Sequence, residues 1–320
     1  MSTYHEMQTD GETYKHIRIG TRGSQLALAQ TDLLIARIQE KYPQITCEKV
    51  IIKTTGDKIL DKPLQEFGGK AVFVTEFEDA ILEGRIDCAV HSAKDMPMEL
   101  ADGLAVACVL PRADVRDVLI TKKGTNLAAM EQAVIGTGSL RRQTQIAKLY
   151  PNTVCKSLRG NVPTRLSKLE SGEYDGIILA AAGLVRLQLD REESYDYTYL
   201  DVTEMVPAGG QAIIAVEARA NEVDSFWKYI TDEQAELELK TERFLLNKMG
   251  AGCHEAVGAL AEVTEREADT DIRILLMKEW AGRIYHNEVS GRAAEWESLA
   301  ERAVQQLYTD MKSGIEELKK

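Results

Sequence analysis

The run Val90-His91-Ser92-Ala93-Lys94-Asp95-Met96-Pro97 ends an apolar segment in a lysine and an aspartate. In chains that alternate strands with helices, strand ends hold the working groups. An aspartate among cations stays ionised, and it can stabilise a positively charged intermediate or accept a hydrogen bond from a ring N–H. A bland strand-end ion pair is the plainer reading of Lys94-Asp95. His91 has no partner pattern and reads as a satisfied structural histidine.

Cations gather at a few turns: Arg22, Lys70 in Gly68-Gly69-Lys70, Arg141-Arg142, Arg159 and Arg165 in Leu158-Arg159-Gly160-Asn161-Val162-Pro163-Thr164-Arg165, and Arg186. Taken singly, each reads as an arginine paired with a local acid on a solvated face. The chain as a whole is acidic, with 39 basic against 51 acidic residues and a net charge of −12. Basic residues concentrated at corresponding turns therefore point to an anion site. Arginine grips carboxylates through two parallel hydrogen bonds, so the set suits a ligand with many carboxylates. Phosphate fits almost as well by charge, but the GxxxxGK[ST] loop of phosphate-ligand enzymes is absent.

The five cysteines form no CxxC pair and no zinc-ligand spacing, so no metal site is predicted and a reducing cytoplasm fits. Cys47, Cys88, Cys108 and Cys155 lie in apolar, strand-like segments and read as small buried hydrophobes. Cys253, in Gly250-Ala251-Gly252-Cys253-His254, stands at a glycine turn where a thiol is accessible. His254 and Glu255 push its ionisation in opposite directions.

The elements that must position these residues occur twice. Ile17-Arg18-Ile19-Gly20-Thr21-Arg22-Gly23-Ser24 leads into a helix with an apolar stripe of Leu26, Leu33, Leu34 and Ile38. Val134-Ile135-Gly136-Thr137-Gly138-Ser139 leads into a helix from Leu140. Each copy is a strand, a Gly-Thr turn, an N-capping serine and a helix that stops before a proline, Pro43 or Pro151. A second pair, Leu82 to Val90 and Glu170 to Ile178, repeats helix end, glycine, aspartate and strand. The expectation is an α/β fold with two similar domains and largely parallel sheets, whose helix N-termini offer N–H groups to anions in a cleft.

From Asp232 the pattern changes to a long helix reaching Met249, strands near Val257 to Val263, Ile272 to Lys278 and Arg283 to Val289, and a helix from Ala293. This predicts a small α+β C-terminal domain of three strands and two helices. The expected organisation is a flexible tail over 1–16, a first domain from 17–110 with 208–230, a second over 111–207 and a third over 231–320. The polar opening stretch lacks the apolar centre of an export signal, and the longest apolar run, Gly176 to Val185, is too short to cross a bilayer. Acidity argues against nucleic acid and anionic membrane as partners.

These motifs, in order from Ile17 to the C-terminus, resemble the porphobilinogen deaminases: Gly20-Thr21-Arg22-Gly23-Ser24-Gln25-Leu26-Ala27-Leu28, Gly69-Lys70, His91 to Pro97, Arg116-Asp117, Gly136 to Arg142, Leu158-Arg159-Gly160-Asn161 and Gly252-Cys253-His254. The resemblance implies three domains, the first two similar to type II periplasmic binding proteins, and a dipyrromethane cofactor joined to Cys253 by a thioether. It implies a cytoplasmic monomer acting on porphobilinogen in tetrapyrrole and haem biosynthesis. Four substrates would add to the cofactor before water releases hydroxymethylbilane. Asp95 matches the catalytic aspartate that assists loss of ammonia, with Lys94 beside it. Ser24, Lys70, Lys94, Asp95, Ser139, Arg141, Arg142, Arg159 and Gly160 match cofactor-binding positions. Arg22, Ser24, Arg159, Arg165 and Arg186 match substrate-binding positions.

The chain departs from the pattern where Val115 replaces a proline, Ala212 a glycine, and Ala251 and Ala256 a glycine and a proline of the cysteine loop. Alanine resists positive φ, so turn geometry is where these changes act. The rival reading is a non-catalytic polycarboxylate-binding paralogue of the same fold, which has no use for Cys253 in a glycine loop or for Asp95 among cations.

Overall fold

A computed structural model describes residues 16–54, 74–223, 225–250, 255–266 and 269–318. The expected tail over 1–16 lies outside them except for His16. The chain divides into two compact units, one of residues 1–62, 70–111 and 213–236, the other of residues 63–69, 112–212 and 237–320.

The first unit is built on strands β1 (His16–Thr21), β2 (Thr46–Ile51), β3 (Cys88–Ser92) and β4 (Leu104–Val109). Helix α1 (Gln25–Lys41) follows β1, and α2 (Thr75–Leu82) precedes β3. The second unit begins with β5 (Asp117–Lys122), β6 (Ala133–Gly136), α3 (Leu140–Leu149), β7 (Thr153–Lys156), α4 (Val162–Glu170), β8 (Gly176–Ala180), α5 (Ala181–Arg186) and β9 (Tyr195–Tyr199). The chain then returns to the first unit through β10 (Ile214–Arg219) and α6 (Ser225–Ile230). It finishes with α7 (Glu233–Lys248), β11 (Val257–Glu265), β12 (Thr270–Trp280), β13 (Arg283–Arg292) and α8 (Trp296–Leu318).

The two large sheets share one plan. Their orders are β2-β1-β3-β10-β4 and β7-β6-β8-β5-β9. In each, four strands run in one direction and one, β10 or β5, is inserted against both of its neighbours. The duplication seen in the sequence is therefore a duplication of topology, with β5 standing in the second sheet where β10 stands in the first. The strands are largely parallel in direction, as expected, with β10 and β5 each running against their neighbours. Registers match: Ser92 pairs with Ile214 as Ala180 pairs with Asp117.

Both faces of the first sheet are covered. Ile17, Ile19, Val90, Ile214 and Val216 pack with Leu34 and Ile38 of α1 and with Phe226 and Trp227, while Ala89 packs with Phe77, Ala80 and Ile81 of α2. Such two-sided burial is what turns strands into continuous apolar runs. Glycine is required where a loop side chain closes on a strand. At Gly136 an added Cβ would come within 2.8 Å of Tyr174 Cδ1.

The third sheet, β11-β12-β13, is an antiparallel meander. One face, with Ala259, Ala261, Ile272, Ile274 and Leu276, packs on Leu299, Ala303 and Leu307 of α8 and Leu245 of α7. On the other, Leu260, Leu275 and Met277 meet Val206 and Val115, so the valine in the proline's place serves as an apolar contact. The architecture is the α/β fold of two similar sheet domains with a small three-stranded, helix-covered C-terminal sheet that the sequence predicts.

Candidate active site

Within each unit the expected site residues follow the carboxyl ends of the three parallel strands. In the first unit, Arg22 and Ser24 follow β1, and Lys94 and Asp95 follow β3, its neighbour. The Ser24 hydroxyl caps α1 by accepting from the Ala27 N–H at 3.3 Å. Gln30 of α1 donates to Ser92 Oγ at 2.9 Å, tying the helix to the end of β3. Arg22 and Lys94 are half-buried, whereas Asp95 is exposed on a 3-10 turn, Ala93–Asp95, anchored by buried Ala93 and Met96. No described residue forms an ion pair with Asp95. Three residues beyond the matching strand β8 stands Gly183, so only the first unit carries a carboxylate at this position.

His91 is buried, as a structural histidine should be, with Nε2 2.9 Å from Glu217 Oε2 and its ring edge-on to Phe77. Glu217 lies 126 residues away on β10 and is fully sealed. Nothing local in the sequence announces that partner. Lys70, Gly252, Cys253 and His254 lie outside the described residues.

In the second unit, Ser139 repeats the role of Ser24, its hydroxyl accepting from the Arg142 N–H at 3.5 Å to cap α3. Arg141 and Arg142, in the first turn of α3, are turned inward onto Asp117. Arg142 donates to Asp117 Oδ1 through Nε at 3.0 Å and Nη2 at 2.6 Å, and to the Ile178 carbonyl at 3.0 Å. Arg141 Nη1 stands 2.8 Å from Asp117 Oδ2 and donates to the Val206 carbonyl at 2.7 Å. Gln211 Nε2 adds a bond to Asp117 Oδ1 at 3.0 Å. Burial alone would raise the Asp117 carboxyl, but the two guanidiniums outweigh it and hold it well below the ordinary carboxylate range. Two cations on one anion leave a net positive charge behind the start of α3. Sequence reasoning found the arginine pair but not its counter-ion.

Arg159, Gly160 and Arg165 surround the start of α4. Asn161 caps that helix, accepting from the Thr164 N–H at 3.0 Å. Gly160 has φ +111°, and an added Cβ would meet Thr164 at 2.7 Å, so glycine is required twice over. Its carbonyl accepts from Arg165 Nε at 2.7 Å. Arg159 is half-buried with no ion pair to any described residue. Arg186, at the end of α5, donates to the Ala212 carbonyl at 2.6 Å. Burial lowers its guanidinium to about 10, and no carboxylate among the described residues offsets that loss of water. Ala212, the alanine in the glycine position, takes up the left-handed conformation that glycine would, at φ 71°.

A dipyrromethane carries several carboxylates, and the donor set fits such a group. Arg159 and Arg186 lack a carboxylate among the described residues, and both follow carboxyl ends of strands in one sheet.

The family model described as "Porphobilinogen deaminase, dipyromethane cofactor binding domain" matches residues 17–225. A porphobilinogen deaminase of Lachnospira eligens is 45% identical over 285 residues, covering 88% of this chain and 95% of the relative. One from Roseiflexus sp. is 46% identical over 248 residues, covering 77% of this chain and 81% of its own length. Among solved structures, the periplasmic aliphatic sulphonate binding protein SsuA from Escherichia coli aligns with 13% identity and a TM-score of 0.39, covering 74% of this chain and 71% of that one. With its motifs in order and relatives matched along nearly their whole length, the chain belongs to the porphobilinogen deaminase family.

Proposed function

We propose that this enzyme is a transferase that joins four porphobilinogen units head to tail on a dipyrromethane held by Cys253 and then releases hydroxymethylbilane by hydrolysis. The observation that carries this reading is Arg186, a half-buried guanidinium at the end of α5 facing no described carboxylate. The dipyrromethane, when bound, supplies the pyrrole carbon to which the first unit is joined.

Each addition breaks the aminomethyl C–N bond of one porphobilinogen and forms a C–C bond to the terminal ring. The ring carbon loses its proton, and the amine leaves as ammonia. Asp95 is the group to balance the positive charge that develops as the amine departs, and to accept the pyrrole N–H. Its place on a short turn between buried Ala93 and Met96 fixes where that charge is met. Lys94 beside it, with Arg22, Ser24, Lys70, Arg159, Arg165 and Arg186, would hold acetate and propionate groups. Arg141 and Arg142 would act from behind, through the positive charge they leave over Asp117 and through the capped end of α3.

We take the enzyme to work as a cytoplasmic monomer with no nucleic-acid or membrane partner. Supporting this, the four described cysteines are free thiols and the net charge is −12. Among the described residues no helix is long and apolar enough to cross a membrane.

Intact-mass measurement tests the proposal. The purified chain is expected to exceed its polypeptide mass by one dipyrromethane, and Cys253→Ser to lose that excess. A wild-type chain at bare polypeptide mass that binds porphobilinogen without consuming it would instead establish the non-catalytic paralogue.

A further inference from the structure

The carboxyl end of β3 is held on both of its faces by side-chain hydrogen bonds. On one face Gln30 of α1 donates to Ser92 Oγ at 2.9 Å. On the other, His91 Nε2 stands 2.9 Å from Glu217 Oε2 of β10, under the edge-on ring of Phe77. The pair is diagonal, since His91 lies opposite Ala215 and Glu217 opposite Ala89, so the bond ties β3 to β10 along the strand direction. The chain turns at once beyond it. The Ala93 N–H donates to the Ile213 carbonyl at 3.0 Å and the Met96 N–H to the Ala93 carbonyl at 3.2 Å, which leaves Asp95 at the tip of the turn.

The duplicated sheet shows that the fold does not need these two groups. With Ser92 matched to Ala180 and Ile214 to Asp117, the positions of His91 and Glu217 fall on Leu179 and Ile120 of the second sheet. Both are buried in one apolar cluster. A leucine and an isoleucine therefore pack the same two strands without giving up the hydration that an imidazole and a carboxylate lose on burial. Glu217 is fully sealed, and its Oε1 has no hydrogen-bond partner among the described residues, which adds to the cost. The costly pair stands in the sheet whose strand leads into Lys94 and Asp95, and the apolar pair where Gly183 takes the place of the carboxylate.

We infer that His91, fixed by Glu217, is a positioning residue for Asp95. An apolar contact lets one strand slip slightly along another, whereas a hydrogen bond in a sealed pocket is directional and expensive to break. With His91 and Ser92 pinned on opposite faces, the strand end neither slides nor twists, and the turn that follows delivers the Asp95 carboxylate to one place. Stabilising a developing charge depends steeply on such placement. This inference rests on the proposed role of Asp95.

The test gives the first sheet the residues of the second, as His91→Leu with Glu217→Ile in the full-length holoenzyme. The double variant is expected to keep its cofactor mass and to unfold in denaturant at or above the wild-type midpoint. Its kcat for porphobilinogen consumption should fall roughly ten- to a hundredfold, with KM changed by less than about twofold. His91→Gln, whose amide can donate to Glu217 Oε2, should hold kcat within about threefold of wild type. In an Asp95→Ala background the double substitution should cost nothing further, because the pair acts through Asp95. Wild-type kcat in the double variant overturns the inference. So does a lowered midpoint, which would make the pair a support of the fold, and so does an equal loss in His91→Gln or an added loss beside Asp95→Ala. Turnover of Asp95→Ala at the wild-type rate overturns instead the reading on which the inference rests.

Discussion

Asp117 Oδ1 lies 2.6 Å from Arg142 Nη2, with the aspartate fully sealed and the arginine nearly so. The carboxylate also holds Arg141, so it is the anion that permits two guanidiniums to stand side by side at the start of α3. Replacing Asp117 by Asn leaves two buried cations facing each other, and the loss expected is about 3–5 kcal/mol. Denaturant titration at pH 7 measures it. The folded-state ionisation of Asp117 is depressed below its unfolded value, so its contribution is complete above about pH 3.9 and is lost as the pH falls further. The stability gap between wild type and Asp117→Asn is therefore expected to narrow in acid, and a gap constant down to strong acid would contradict the assignment.

Asp95→Ala is expected to fold, to keep its cofactor mass and to consume almost no porphobilinogen. The side chain is exposed and pairs with no described residue, so melting should change by no more than about 0.5 kcal/mol. Turnover near that of wild type removes Asp95 from the chemistry.

Arg186→Gln tests carboxylate binding apart from the chemistry. Loss of one charged partner is expected to raise KM for porphobilinogen about tenfold or more. An unchanged KM would mean that the guanidinium serves only the Ala212 carbonyl.

Ala212 is a non-glycine residue at φ 71°. A left-handed alanine is strained by about 1–2 kcal/mol, part of which glycine gives back through the freedom of its unfolded chain. Ala212→Gly is expected to stabilise the chain by up to about 1 kcal/mol, read as a higher denaturation midpoint. A lower midpoint would show that the alanine methyl is worth more in packing than it costs in conformation.

Burial pushes the Cys108 thiol up to about 12 and raises Cys88 as well. At pH 8 iodoacetamide is expected to label both in the native chain on the order of a thousandfold more slowly than in the denatured one. Half-buried Cys47 and Cys155 should react sooner. Peptide mass spectrometry reads the order, and early labelling of Cys108 would disprove it.

What could be read in the sequence was local. Ser24 and Ser139 announce their helices because a cap is decided within three residues, and both hydroxyls make the bond expected of them. The paired glycine turns and the three-stranded meander were legible for the same reason. Pairings set by distant chain were not. Glu217 reaches His91 across 126 residues, and Asp117 reaches Arg142 across 25. A basic pair in a first helical turn looks alike whether it points outward to a ligand or inward to an acid, and only the position of β5 decides. The one reversed strand of each sheet was missed on similar grounds, since β10 and β5 signal that they are strands but not which strands they join.

The place of β10 sets an order of birth. Strand β4 has β10 as its sheet neighbour, and β3 meets β10 on the side away from β1. Until the ribosome has delivered residues 214–219, the first-made strands have an unfilled slot between them, whereas all five strands of the second sheet fall between Asp117 and Tyr199. The middle of the polypeptide can thus close its sheet during synthesis while the beginning waits, its strand edges open to wrong partners.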